Sequence, residues 1–158
     1  YAIALKTTPI IAMAPLLVLW FGTGLVSKIV AAALMCFFPI LVNTVKGLRT
    51  VDDSALELFK SFSASKMQIF TKLRLPTALP YIFSALKIST GLAVVGAVVG
   101  EFVGANKGIG YIILVSSYHL ETVTMFSAII MSALGGILFF LLISYIEKKV
   151  IFWQEKEE

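Results

Sequence analysis

Of 158 residues, 59% are apolar and only 14% are charged, and the mean hydropathy is +0.96; this excludes an ordinary water-soluble domain, in which about a quarter of residues carry charge. A net charge of +4 suggests nucleic acid at first, but residues 46–74 hold six basic and three acidic side chains, so the surplus sits in one connection between apolar stretches, as a cytoplasmic loop requires, and no nucleic-acid partner is expected. A single cysteine, Cys36, and a single histidine, His119, exclude an internal disulfide and a Cys/His metal cluster.

The chain opens at Tyr1 in apolar text, with no Met and no basic segment leading to a small-residue cleavage site. It reads as an N-terminally truncated chain rather than a signal peptide. Residues 2–21 are apolar except for Lys6 and two threonines, and residues 29–45 are apolar up to Asn43 and Thr44; residues 78–99 and 123–146 complete the set. Each stretch is near the ~20 residues that cross a bilayer as a helix, which predicts an all-α, polytopic membrane bundle of about four spans. The connections fall at residues 22–28, 46–77 and 100–122, with a charged tail over 147–158. With the basic connection in the cytoplasm, alternation puts residues 22–28 and 100–122 outside and both termini inside, where Lys6, Lys148 and Lys149 agree. Pro9, Pro15 and Pro39 interrupt the spans, and each removes a backbone donor that neighbouring helices must compensate.

Gly96, Gly100, Gly104 and Gly108 recur at every fourth residue, and in a helix Gly96 and Gly100 share one stripe. Ala128, Ser132 and Gly136 repeat the pattern in the last span. Small residues at this spacing let two helix backbones approach closely, so packing within a bundle is the simpler reading and a pore lining the other. Two charges reach the bilayer. Lys87 lies about two turns into its span and is expected to snorkel to the cytoplasmic boundary. Glu101 ends that span on the outer side, either as a solvated boundary residue or as a polar contact in an outer gate. No GxxxxGK[ST] occurs, so this chain is not expected to be an enzyme, and any nucleotide belongs to another polypeptide.

The basic connection has structure of its own. Ser54 with Glu57 reads as a capping box that starts a helix, whose apolar positions are Ala55, Leu58, Phe59 and Phe62. Ser61-Phe62-Ser63 stalls it. A second box, Ser65 with Gln68, starts another helix with a stripe of Met67, Phe70 and Leu73, expected to stop before Pro76, with Pro80 beyond. Isolated helices of this length are marginal in water. They need a docking surface, which by composition alone could be the membrane interface or the ends of their own bundle.

Glu57-Leu58-Phe59, Ser63-Ala64 and Leu73-x-Leu75-Pro76 stand in the register of Glu-Ala-Ala, three residues, Gly, nine residues, Ile-x-Leu-Pro. This resembles the EAA motif of ABC importer permeases, the inner-membrane components of binding-protein-dependent transport. Ala14-Pro15-Leu16-Leu17 with Trp20-Phe21-Gly22, Phe38-Pro39-Ile40-Leu41, Leu79-Pro80-Tyr81-Ile82-Phe83 and Gly108-Ile109-Gly110-Tyr111 are similar to the nitrate, sulfonate, taurine and thiamine-precursor branch. Leu58 and Phe59 depart from the two alanines and Ser63 from the glycine, which strains the turn if a positive φ is needed there.

The resemblance implies that residues 1–158 are one transmembrane permease domain of the type I importer kind, lacking helices that precede it in the family. It implies that residues 52–76 are a cytoplasmic coupling segment, with Glu57, Leu58, Phe59, Phe62, Ser63 and Ala64 at the contact. The implied partners are cytoplasmic ABC ATPase subunits that hold ATP and Mg, a second permease copy forming a homodimer, an extracytoplasmic solute-binding protein and the lipid bilayer; this chain itself would bind no cofactor and no metal. Glu101, Gly104, Gly108 and Gly110 would lie at the outer gate or path, where residues 104–118 would form a short re-entrant or surface helix. Gly96, Gly100, Ser132 and Gly136 remain helix-packing candidates. The location implied is the inner cell membrane, multi-pass. The solute would be a sulfonate, taurine, nitrate or a thiamine pyrimidine precursor. The alternative is a secondary carrier or channel subunit that uses Lys87 and Glu101 without ATP.

Overall fold

The computed structural model describes residues 10–153, and every element among them is helical. In chain order these are α1 (Ile10–Phe21), α2 (Leu25–Arg49), α3 (Asp53–Ser61), α4 (Lys66–Ile69), a π-helical turn (Phe70–Arg74), α5 (Leu75–Phe102), α6 (Ile109–Tyr118) and α7 (Thr122–Val150). The α4 segment, the π turn and α5 run without a break as one helix of 37 residues, Lys66–Phe102. With α2 (25 residues) and α7 (29 residues) it makes three helices long and apolar enough to cross a membrane. The spans expected over 29–45, 78–99 and 123–146 fall inside these three. Of the first expected span only α1 is described, and Lys6 and Pro9 lie outside the described residues.

Local chemistry explains most of the boundaries. Gly22, at φ +77°, turns the chain after α1 while its N–H bonds the Val18 carbonyl at 2.8 Å, a conformation that costs glycine nothing. Lys46 and Arg49 in the last turn of α2, and Lys148 and Lys149 in that of α7, face the negative end of the helix dipole. The last of these corrects the expected tail: α7 continues through Glu147 instead of ending before it.

Pro76 and Pro80 do not end the helix that begins after Ser65. In an α-helix the ring of Pro76 would crowd the carbonyl four residues back, but the preceding turn is widened, with the Leu75 N–H bonding the Phe70 carbonyl five residues back. One extra residue in the turn relieves the crowding. The Thr77 hydroxyl, donating to the Leu73 carbonyl at 2.8 Å, takes up one acceptor at the same place.

The chain packs as two compact units. The first comprises Tyr1–Phe38 and Ser89–Leu141 and buries Ala14, Leu17, Ala31, Val99 and Ala128. Within it α5 lies against α2 at backbone distance. A Cβ placed on Gly96 would come 2.6 Å from Ala32 Cα, and one on Gly100 would come 3.1 Å from Lys28 Cα. The second unit, Pro39–Ile88 with Leu142–Glu158, buries Ala78, Phe83, Ala85 and Ile151. There Gly47 does what Gly96 does in the first, since its Cβ would meet Tyr81 Cβ at 2.8 Å and Ala78 Cα at 3.0 Å. Small residues in both units let helices meet with little apolar area between them. The larger apolar side chains point outward: only 6% of the α7 window and 11% of the α2 window is buried within the chain, an arrangement that lipid or further protein must cover.

Candidate functional site

Two places gather the residues singled out in the sequence, one in each unit. In the second unit, α3 and α4 form a short helical hairpin. Its start is capped by Asp52, whose carboxylate accepts from the Ser54 N–H at 3.3 Å. The expected Ser54–Glu57 box is therefore corrected: Ser54 lies inside the first turn, because three consecutive residues can cap and the first of them takes the position. At the other end of α3, the Ala64 N–H bonds the Phe59 carbonyl at 3.0 Å and the Ser63 N–H bonds the Lys60 carbonyl at 2.9 Å. This pair of bonds is a Schellman closure, which needs a left-handed residue at its centre. Ser63 occupies that position at φ +53°, so a side chain stands where the EAA pattern has glycine. The next helix opens on a complete capping box, with the Ser65 N–H donating to Gln68 Oε1 at 2.7 Å and the Gln68 N–H donating to Ser65 Oγ at 3.3 Å.

The hairpin has two unlike sides. On one, Leu58, Phe59, Phe62, Ala64, Gln68 and Lys72 line an open cavity of about 360 Å³, and Leu58 and Phe62 are 55% and 78% exposed. Ser63 makes its turn, and Glu57 is not part of its lining. The other side, lined by Leu56, Lys60, Lys66, Ile69, Phe70 and Arg74, carries three cations around a cavity of about 400 Å³. On α3 the two sets are separated by helical spacing: Leu56 and Lys60 lie one turn apart on one face, with Leu58 and Phe62 one turn apart on the other. This geometry presents an apolar, aromatic-lined recess at the tip of a capped turn, joined by continuous helix to α5.

In the first unit, Glu101 is not a loose boundary residue. Its Oε1 accepts from Lys28 Nζ at 3.2 Å and its Oε2 from the Gly110 N–H at 2.7 Å, and both charged side chains are only 18% exposed. The helix receiving this contact, α6, has Gly108 as its N-cap and hence no cap of its own. Gly108, at φ +124°, could carry no Cβ without overlapping the Glu101 carboxylate, and a Cβ on Gly110 would stand 2.6 Å from the Val98 carbonyl oxygen. Glu101, Gly108 and Gly110 are thus brought together. Gly104 is separate: at φ +73° it packs beside Thr23 and Val18. The helix expected over 104–118 begins only at Ile109, with turns before it. Lys28 was not singled out in the sequence, because no local spacing links it to a residue 73 positions away.

Lys87 is paired with Glu147 at 2.8 Å, with side-chain exposures of 28% and 22%. Its ammonium thus reaches a carboxylate in the last turn of α7, beside Lys148 and Lys149. Ser132 and Gly136, together with Thr90, Gly91, Val94 and Phe140, line a groove of about 420 Å³. A Cβ on Gly136 would make an ordinary 3.4 Å contact with Val94, and one on Gly135 would meet nothing. This stripe therefore borders a groove, whereas Gly96 and Gly100 touch backbone.

Comparison with known proteins follows the same lines. The sequence pattern of the family described as binding-protein-dependent transport system inner membrane component matches residues 1–152. The chain is 40% identical to the formylaminopyrimidine transport permease protein ThiX of Halalkalibacterium halodurans over 98% of its own length and 62% of that protein's. It is 36% identical to the riboflavin transport system permease protein RibX of Chloroflexus aurantiacus, over 96% of this chain and 56% of the relative. To the taurine transport system permease protein TauC of Escherichia coli it is 28% identical, over 94% and 54% respectively. The chain thus spans between half and two thirds of the length of these relatives.

Proposed function

The chain belongs to the family of binding-protein-dependent transport system inner membrane components, and on that premise we propose that it is a permease subunit of an ATP-driven ABC importer. It is a multi-pass inner-membrane protein, with three helices that can span. The observation that carries the functional reading is the helical hairpin of residues 52–76. Its recess of Leu58, Phe59, Phe62 and Ala64 is open, and its second arm is the first stretch of the 37-residue helix Lys66–Phe102.

A cytoplasmic ATPase that seats this recess gains a lever. When ATP closes two ATPase subunits, a displacement of the hairpin passes into α5 without crossing a flexible joint, and α5 is the helix packed at backbone distance on α2 in the first unit. ATP and Mg are held by the ATPase, and the route for solute is completed by a second permease copy beneath an extracytoplasmic solute-binding protein. The relatives' names, permeases for a pyrimidine, a flavin and a sulfonate, support this reading and not the carrier alternative. The solute is accordingly a small compound of that range, or an inorganic anion.

The test is uptake by membrane vesicles that contain the protein with or without its ATPase. Uptake of one of the relatives' named solutes is expected to require both ATPase and ATP. Transport that persists without the ATPase would establish the carrier instead.

A further inference from the structure

We propose that Lys28 and Glu101 form a clasp that positions α6 and holds the outer ends of α2 and α5 together, so that opening these ends withdraws the cap from α6. The role in transport rests on the permease reading above; the clasp itself rests on geometry.

Glu101 stands in the last turn of α5, where the helix dipole disfavours a carboxylate. Nothing on its own helix repays that placement. Two other elements do: Lys28 in the first turn of α2 supplies a cation at 3.2 Å, and α6 supplies the Gly110 N–H at 2.7 Å. Gly108, the N-cap of α6, has no side chain with which to satisfy the first free amides of that helix. The carboxylate of α5 therefore performs the N-capping function for α6, and it performs it only while Lys28 keeps it in place. The three elements share one charge. With both side chains 18% exposed, solvent screens the pair less than it would a surface pair. Gly100, one residue before Glu101, sets the approach, since a Cβ there would press on Lys28 Cα at 3.1 Å. Gly108 and Gly110 leave the space that the carboxylate fills.

The consequence is mechanical coupling. If α2 and α5 separate at this end, Lys28 leaves Glu101, the carboxylate loses its reason to stay, and α6 starts with unsatisfied amides. A closed clasp is thus a resting lock, and loosening it lets the transporter cycle without solute.

Two measurements on the intact protein, assembled with its ATPase in lipid, test this: amide hydrogen exchange in residues 109–118, and ATP hydrolysis without added solute. Lys28→Ala and Glu101→Leu are expected to speed exchange at Gly110 to Ile112 at least threefold, with exchange in α7 unchanged, and to raise solute-free hydrolysis at least threefold. The double variant Lys28→Glu with Glu101→Lys restores a charge pair, but a lysine has no acceptor for the Gly110 N–H; protection should stay lost. Unchanged exchange in both single variants, or full protection in the swapped one, would overturn the clasp. Faster exchange with unaltered or lowered hydrolysis would overturn its role in the cycle. If hydrolysis is absent even in the unmodified assembly, the permease reading fails, while the exchange data still judge the clasp.

Discussion

Ser63 shows what a single atom can cost. At φ +53° its Cβ stands close to the following carbonyl, an arrangement worth about 1–2 kcal/mol against L-residues, and the two closure bonds to Phe59 and Lys60 hold it there. Ser63→Gly is therefore expected to stabilise the hairpin by up to about 1 kcal/mol, after the greater freedom of an unfolded glycine is counted. Ser63→Val should destabilise it by more than that, and thermal unfolding of the protein in detergent will rank the three. Glycines in the long helices separate in the same way. Gly96→Ala drives a methyl to 2.6 Å from Ala32 Cα and should cost about 1–3 kcal/mol as overpacking. Gly135→Ala meets nothing and should be neutral or gain roughly 0.5–1 kcal/mol of helix propensity. Equal effects of these two substitutions on the melting temperature would count against close approach at Gly96. The strain at Ser63 was legible because the resemblance to the EAA motif over residues 57–76 implies a glycine at that position. The cap at the other end of α3 was misread, since Asp52, Asp53 and Ser54 are all competent and the Ser54–Glu57 spacing points to the wrong one.

The hairpin was readable from two serines and a stripe, and its second arm was misread for a definite reason. A pattern with a period near 3.6 cannot reveal one extra residue in a turn, so Pro76 looked like a stop when the π turn over Phe70–Arg74 had already made room for it, and Pro80 lies inside α5. Under the proposed function, continuity of that arm is what lets a partner seated in the recess act on α5. Phe62, 78% exposed, and Phe59 beside it offer aromatic anchors of the kind that dominate interfaces. Truncating either to Ala should weaken co-purification of the ATPase by more than about 1–2 kcal/mol, roughly five- to thirtyfold in affinity. Asp52→Ala is the matching control: it removes the helix cap, at about 1 kcal/mol of helix stability, and leaves both rings in place. If Asp52→Ala weakens binding as much as Phe62→Ala does, helix stability and not ring contact governs docking.

Across the whole molecule, the fold class was the most legible feature, because a bilayer leaves an apolar chain little choice but helices that bond their own backbone. Pairings between distant residues were the least legible. Lys87 and Glu147 are separated by 60 positions, and each alone reads as a charge near a membrane boundary. Together, within the second unit, they tie α5 to the end of α7 at 2.8 Å. Hydrogen bonds between charged groups are worth about 1.5–3 kcal/mol, and replacing either side chain gives up that bond in a partly buried setting. Lys87→Met and Glu147→Gln singly should therefore each lower the melting temperature of the protein in detergent. The double variant should recover most of that loss, since it removes both charges together and its methionine packs in apolar surroundings. A double variant as unstable as the sum of the two single ones would mean that Lys87 and Glu147 act independently, and that α5 and α7 are held there by packing alone.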